Sequence, residues 1–374
     1  MAASRRSPAS GGGASGFRLG RIDGDRQVST GRVRRRVPKL WEKDIVKHRA
    51  LAAGAALTAL AVATATAAAL AGPAQAVPAR SASAQAVPVQ AVPAQGTPAQ
   101  AAPAPLTGRG VYLGYGGGVR LATESGRTLW TDRSGFGQFS VSPDGGKVAW
   151  IDGKGRLHVS AAATGSGKAA DKVVARGAAA GGPCLTPAWS ADSRRIAFPL
   201  AGGSDRLTVA VVGADGRGLG KVGATLGVCH LTWSADGRTL AGYAGSTEGV
   251  HLLDTASRTS RRVPGIRLAN HVAGLSPDGR RVVVHAMGPD AEAGDGSWPA
   301  EFAPSVYDTR TGKKVALPVR GRLIGALYLR DGRLAVRVAG RTANTLVVLS
   351  PSGKRLQTLP EQPRNRRLGL LQVR

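Results

Sequence analysis

Acidic residues are scarce in this chain: 23 Asp and Glu stand against 51 Lys and Arg, for a formal net charge of +28. Residues 1–76 hold 13 of the basic and 4 of the acidic residues, leaving 38 and 19 for the rest, so both portions are basic. A surface of that kind suits an anionic partner. It identifies no nucleic-acid module, and none is present; Arg in excess over Lys instead points to a GC-rich genome of the actinobacterial kind. With two cysteines, a densely stapled scaffold is excluded. The six histidines lack zinc-ligand spacing, so neither a metal nor a cofactor is expected. His230, His251, His271 and His285 are read as separate structural or surface residues. No G-x-S-x-G elbow appears, which argues against a Ser-His-Asp hydrolase. Thr164–Lys168 reads TGSGK but has Ala162 where a phosphate loop needs its first glycine and Ala169 where it needs Ser or Thr. Gly218–Gly223 fits G-x-G-x-x-G with no βαβ unit around it.

What the chain has in abundance is a repeated hairpin. LTWSADGRTLA from Leu231 returns as FSVSPDGGKVAWI from Phe139, PAWSADSRRIAF from Pro187, AGLSPDGRRVVV from Ala273 and, decayed, LYLRDGRLAV from Leu327. The turn aspartates are Asp144, Asp192, Asp236, Asp278 and Asp331. Their spacing falls in the range of four-stranded propeller blades. Ser, Asp and Gly supply the local acceptor and the positive φ that a tight reversal needs. The flanking Val, Ile, Leu and Trp runs read as strands that cannot bury both faces alone and must stack.

Residues 1–50 read as a disordered basic cytoplasmic segment. Leu51–Ala71 is an uncharged run of 21 residues, long enough to span a bilayer, preceded by an Arg/Lys cluster that directs the downstream chain outward. Residues 51–76 therefore form either a signal peptide cleaved near Ala74-Gln75-Ala76 or an uncleaved anchor. Residues 77–106, rich in Ala, Pro and Gln, read as a semi-rigid linker. Residues 107–374 are read as the propeller.

The five motifs define five full blades. VYLGY from Val111 and GVRLATESGRTLWT from Gly118 supply three strands of a further blade, which lacks its innermost strand, while RLGLLQV near the C-terminus is one strand without a partner. The fold class expected is thus all-β, a six-bladed β-propeller closed by the C-terminal strand. Closure would leave few unpaired edges. Alternation places Ser140, Ala188, Thr232, Gly274 and Leu327 toward the central channel and Val141, Trp189, Trp233, Leu275 and Tyr328 between blades. Two residues further back, Gln138, Thr186 and His230 are the candidate ligand contacts of the channel.

W-S-x-D-G-x-x-[IL]-A, carried at Trp189 and Trp233 and approximately by the other three copies, resembles the WD-like repeat of the TolB-type six-bladed β-propeller. The likeness covers roughly residues 107–374. It implies a docking platform, an accessory domain or a binding module rather than one fixed activity. TolB carries an α/β domain ahead of its propeller and works in a Gram-negative envelope complex; here a Pro-rich tract stands in that place, so TolB's partners do not carry over.

Two features remain. The loop Gly288–Phe302, inserted after the second strand of the fourth full blade, carries Asp290, Glu292, Asp295, Trp298 and Glu301 and is the candidate partner loop. Its acidic order does not match an EF-hand. Cys184 and Cys229, at the starts of neighbouring innermost strands, are either a disulfide or two buried thiols. The expectation is an exported or membrane-tethered, monomeric, non-catalytic module for an envelope protein, glycan or anionic wall polymer. The alternative is a propeller hydrolase or lyase acting on a glycan or lactone at the channel mouth.

Overall fold

The computed structural model describes residues 104–116, 118–132, 137–161, 171–292, 294 and 296–374. The basic head, the apolar run Leu51–Ala71 and the linker up to residue 103 lie outside the described residues. Among the described residues twenty-four strands make six four-stranded sheets.

The chain enters with β1 (Gly110–Tyr115), β2 (Val119–Thr123) and β3 (Thr128–Thr131). The first full blade comprises β4 (Phe139–Val141), β5 (Lys147–Ile151), β6 (Arg156–Ala161) and β7 (Asp171–Arg176). The second comprises β8 (Ala188–Trp189), β9 (Arg195–Pro199), β10 (Leu207–Gly213) and β11 (Gly220–Thr225). The third has β12 (Gly227–Trp233), β13 (Thr239–Ala244), β14 (Val250–Asp254) and β15 (Ser260–Arg262). The fourth has β16 (Ala269–Leu275), β17 (Arg281–Ala286), β18 (Ser305–Asp308) and β19 (Lys314–Val315). The fifth has β20 (Leu323–Tyr328), β21 (Leu334–Val338), β22 (Thr345–Leu349) and β23 (Arg355–Pro360). A single 3₁₀ turn, Pro363–Asn365, then leads into β24 (Gly369–Val373).

β24 pairs antiparallel with β1, so the closing blade has the order β24-β1-β2-β3 and is built from both ends of the described chain. The expected closure is the observed one. Arg337 of β21 fastens it from the fifth blade: its guanidinium holds both oxygens of Glu361 at 2.8–3.0 Å and donates to the carbonyls of Asn365 and Leu368. Asn365 in turn donates to the Glu124 carbonyl of the closing blade.

The motif explains its own turns. In the first four copies the Ser hydroxyl (Ser142, Ser190, Ser234, Ser276) donates to the turn aspartate at 2.5–2.6 Å and accepts the N–H five residues on at 2.9 Å. The same aspartate oxygen accepts the N–H two residues on. In the fifth copy Leu329 replaces the serine, and Arg333 takes over by pairing with Asp331 at 2.7 Å and donating to the Ala104 carbonyl. Where the second copy has serine for glycine, Ser193 still adopts φ +60° and its hydroxyl accepts the Asp144 N–H, tying two neighbouring turns. Between the blades lie the apolar clusters, with Ile151, Phe198, Val212, Val250, Val284 and Val336 excluded from solvent.

Candidate functional site

All six innermost strands contribute to one central cavity of about 730 Å³. Ser140, Ala188, Thr232, Gly274 and Leu327 line it, as alternation requires, with Leu371 of β24 completing the ring. Their neighbours Trp189 and Trp233 are nearly buried between blades. Trp189 Nε1 donates to the Ser140 carbonyl, and the Arg195 guanidinium lies 5.1 Å from the Trp233 ring centre. These indoles therefore stiffen the ring between blades, and both residues also reach the cavity wall.

The exposed residues Asp144, Asp192, Arg330, Asp331 and Arg374 stand at one end, which is the mouth. Their carboxylates are committed to turns. The Ser190 hydroxyl, outweighing burial, and then the Arg194 N–H hold Asp192 below the usual carboxylate range. At Asp144, burial works upward but is outweighed by bonds from Ser142 and the Gly146 N–H and by nearby Lys147 and Arg374, so its pKa is also lowered. A general acid needs the opposite shift. Among the described residues lining the cavity there is no histidine.

The other end is closed. Residues 296–302 leave the long loop of the fourth blade, cross the axis and form a floor. Gly296, at φ +77°, lies against Cys184, with an added Cβ only 3.1 Å from that residue's Cβ. The Trp298 ring stands 4.9 Å from His230 of β12 and 4.6 Å from His271 of β16. The Tyr115 hydroxyl of β1 donates to the Trp298 carbonyl, Ala300 packs on Gly369 of β24, and the Phe302 N–H reaches the Ile324 carbonyl of β20. Trp298 also packs against the cluster holding Phe139 of β4. One face of Trp298 thus lines the cavity and its surroundings are drawn from blades all around the ring.

Gln138, Thr186 and His230 lie at this closed end, all fully buried and outside the cavity wall. Gln138 Nε2 donates to the carbonyls of Ala179 and Leu185, and its Oε1 accepts the Gly181 N–H, so its amide pins the chain that enters the second blade. Thr186 Oγ1 has no hydrogen-bond partner. His230 donates from Nε2 to the Gly296 carbonyl at 3.1 Å and meets His271 Nδ1 with its own Nδ1 at 2.7 Å. Burial drives its pKa down to about 3, with the Gly296 carbonyl pulling the other way. His271 is held well below the usual value by burial and by the neighbouring His230 and His285. The histidines expected to stand apart therefore partly converge, because β12 is irregular between Cys229 and Thr232 and His230 sits at φ +47°.

The candidate partner loop is divided. Asp290 and Glu292 are exposed, Glu301 pairs with Arg322 at 3.1 Å, and Trp298 turns inward to the floor. Asp295 lies outside the described residues. Cys184 and Cys229 form a disulfide. Cys184 does not start an innermost strand as expected: β8 begins only at Ala188, and Cys184 precedes it in irregular chain. Sequence reasoning gives no functional role to His271 or Phe302. Their only signal is that histidine recurs close to the start of two consecutive innermost strands.

The sequence matches no protein-family model and no curated protein. Among solved structures the fold is similar to TolB from Acinetobacter baumannii, with 16% identity, 73% of this chain and 66% of that chain covered, and a TM-score of 0.46. It is also similar to a putative TolB from Agrobacterium tumefaciens, with 14% identity, 65% and 93% covered, and a TM-score of 0.41. A chain of a nidogen/laminin complex matches at 11% identity, 71% and 100% covered, and a TM-score of 0.43. The present chain thus spans just under two thirds of the Acinetobacter protein. The likeness is one of fold, and the count of six blades rests on the strand pairing itself.

Proposed function

We propose that this chain is an exported or membrane-tethered, non-catalytic β-propeller that binds a partner or ligand at the cell envelope, with the central cavity as its site. The observation that carries the reading is the shape and lining of that cavity. It is open at a charged mouth and floored by Trp298, and its wall is made of small and apolar side chains. A rigid wall of this kind offers preformed shape to an entering group at little ordering cost. The mouth carboxylates lie below the ordinary range or are ion-paired, and the histidines are at the far end, which favours binding over the hydrolase or lyase alternative. Location outside the membrane is supported by the Arg/Lys cluster, the uncharged run Leu51–Ala71 and the Ala/Pro tract after it. An envelope protein, a glycan or an anionic wall polymer would meet the Arg330 and Arg374 rim.

The test is capture from an envelope extract by the full chain, compared with Thr232→Trp, which fills the cavity from one wall, and with Asp290→Ser/Glu292→Ser on the exposed loop. The cavity variant is expected to lose at least about tenfold in affinity while the loop variant binds as before. Undiminished capture by Thr232→Trp would remove the cavity from the reading.

A further inference from the structure

The floor of the cavity is held by an unusual arrangement of two imidazoles, and its hydrogen bonds determine where the protons sit. The Gly296 carbonyl can only accept, so His230 Nε2 carries a proton and His230 Nδ1 is a bare lone pair. His271 Nδ1, 2.7 Å away, must then donate to it. That leaves His271 Nε2 unprotonated, and it is buried with no partner. His271 lines a second, water-sized cavity of about 20 Å³ on the far side of Trp298, together with Phe302 and Arg337.

We propose that residues 296–302 form a proton-responsive floor: protonating the His230–His271 pair displaces Trp298 and turns the blind cavity into a channel open at both ends. A second proton on His230 would place two N–H donors face to face across 2.7 Å, and a charge on either ring would sit in a pocket closed by Trp298 and Phe302. Among the described residues the surroundings offer no compensating anion. From β13 comes Tyr243, 5.3 Å from His230; from β17 comes His285, whose Nδ1 meets Asn270; from β21 comes Arg337, itself cationic and spoken for by Glu361. On the floor segment, Glu301 is paired outward with Arg322, and beside Gly296 stands the neutral Cys184–Cys229 bridge. Opening the segment restores water to both rings.

Linkage gives the sign. In the closed state His230 titrates at about 3 and His271 lies lower than usual, whereas rings exposed by opening titrate near the free value of about 6.5. Acid therefore favours the open state, by up to about tenfold per pH unit for each ring below that value. Between about pH 7.5 and about pH 5.0 His230 alone raises the opening constant by about thirtyfold, and His271 adds to it in the same direction.

The experiment is hydrogen exchange by mass spectrometry on the full chain at both pH values, corrected for the intrinsic pH dependence of exchange. Peptides spanning 296–302 are expected to lose protection by at least that factor while β5 and β9 keep theirs. In His230→Gln/His271→Asn the acid response is expected to shrink to less than about tenfold. Unchanged protection of 296–302 at the lower pH, equal acid opening in the variant, or simultaneous opening of β5 and β9 would each overturn the proposal. Should the variant fail to fold, imidazole nitrogen shifts of the wild-type chain decide: uptake of protons by His230 and His271 at the midpoint of segment opening supports it, and opening with both rings still neutral overturns it. No ligand is involved, so this outcome is independent of whether the cavity binds a partner.

Discussion

At Arg337 the chain buries a charge that it can hold only with several partners at once. The guanidinium is 1% exposed, its side chain clamps Glu361, and the Tyr112 ring lies 5.8 Å from its centre. Burial, reinforced by Glu361, pushes the Tyr112 hydroxyl well above its ordinary pKa. Removing one member of such a pair strands the other. Arg337→Met is expected to cost about 3–5 kcal/mol in a denaturant titration, and adding Glu361→Gln to recover part of it. Nothing in the local sequence LAVRVAG announces this role, since the partner is 24 residues on and joined through the fold. The buried histidines make the second residue-scale prediction. Their folded pKa values are depressed, so the contribution of His230 is fully present above about pH 6.5 and is lost as pH falls toward about 3, at about 1.4 kcal/mol per unit, and His271 acts in the same direction. Asp152, where burial is outweighed by Arg156 and His158 so that it titrates at about 2, acts only at lower pH. A stability-versus-pH curve is therefore expected to turn down near about pH 6.5, and the turn is expected to flatten in His230→Gln/His271→Asn.

At the scale of elements, closure depends on β24. Its five residues supply the innermost strand of a sheet whose other strands come from the opposite end of the described chain. Deleting residues 369–374 leaves the β1 edge unpaired; the melting temperature is expected to fall by about 10 °C or more and self-association to appear in size-exclusion chromatography. The disulfide ties the second blade to the third across 45 residues. Replacing both cysteines by serine is expected to cost up to about 4 kcal/mol under oxidising conditions. Strand order was legible because the hairpin is spelled out in each copy and the leftover strands at the two ends complement one another. Strand length was less so. The outer strand of the fourth full blade, β19, is only Lys314–Val315, because the chain beyond Leu317 meets Pro318 and leaves the ladder. PAWS gives only Ala188–Trp189 in β8, since Pro183 and Pro187 keep the approach irregular.

In the whole molecule the ring encloses a cavity that opens at one end and is sealed at the other. Period-two alternation placed Ser140, Ala188 and Thr232 on the cavity, where they stand, while Trp189 and Trp233 pack in the interblade clusters and also reach the cavity wall. It could not show that an insertion returns across the axis, because a loop carries no period; Trp298 therefore reads as a surface contact in the sequence and is a floor in the fold. For the same reason Gln138, Thr186 and His230 read as channel lining and are buried outside the cavity wall, with His230 held against the floor at Gly296. The most direct measurement of the central claim is a hydrogen-exchange footprint of the full chain with and without its captured partner. Protection is predicted at the mouth turns around Asp144, Asp192 and Asp331 and along β12 near Thr232. Protection confined to the outer strands β7, β11 and β23, with the mouth unchanged, would contradict it.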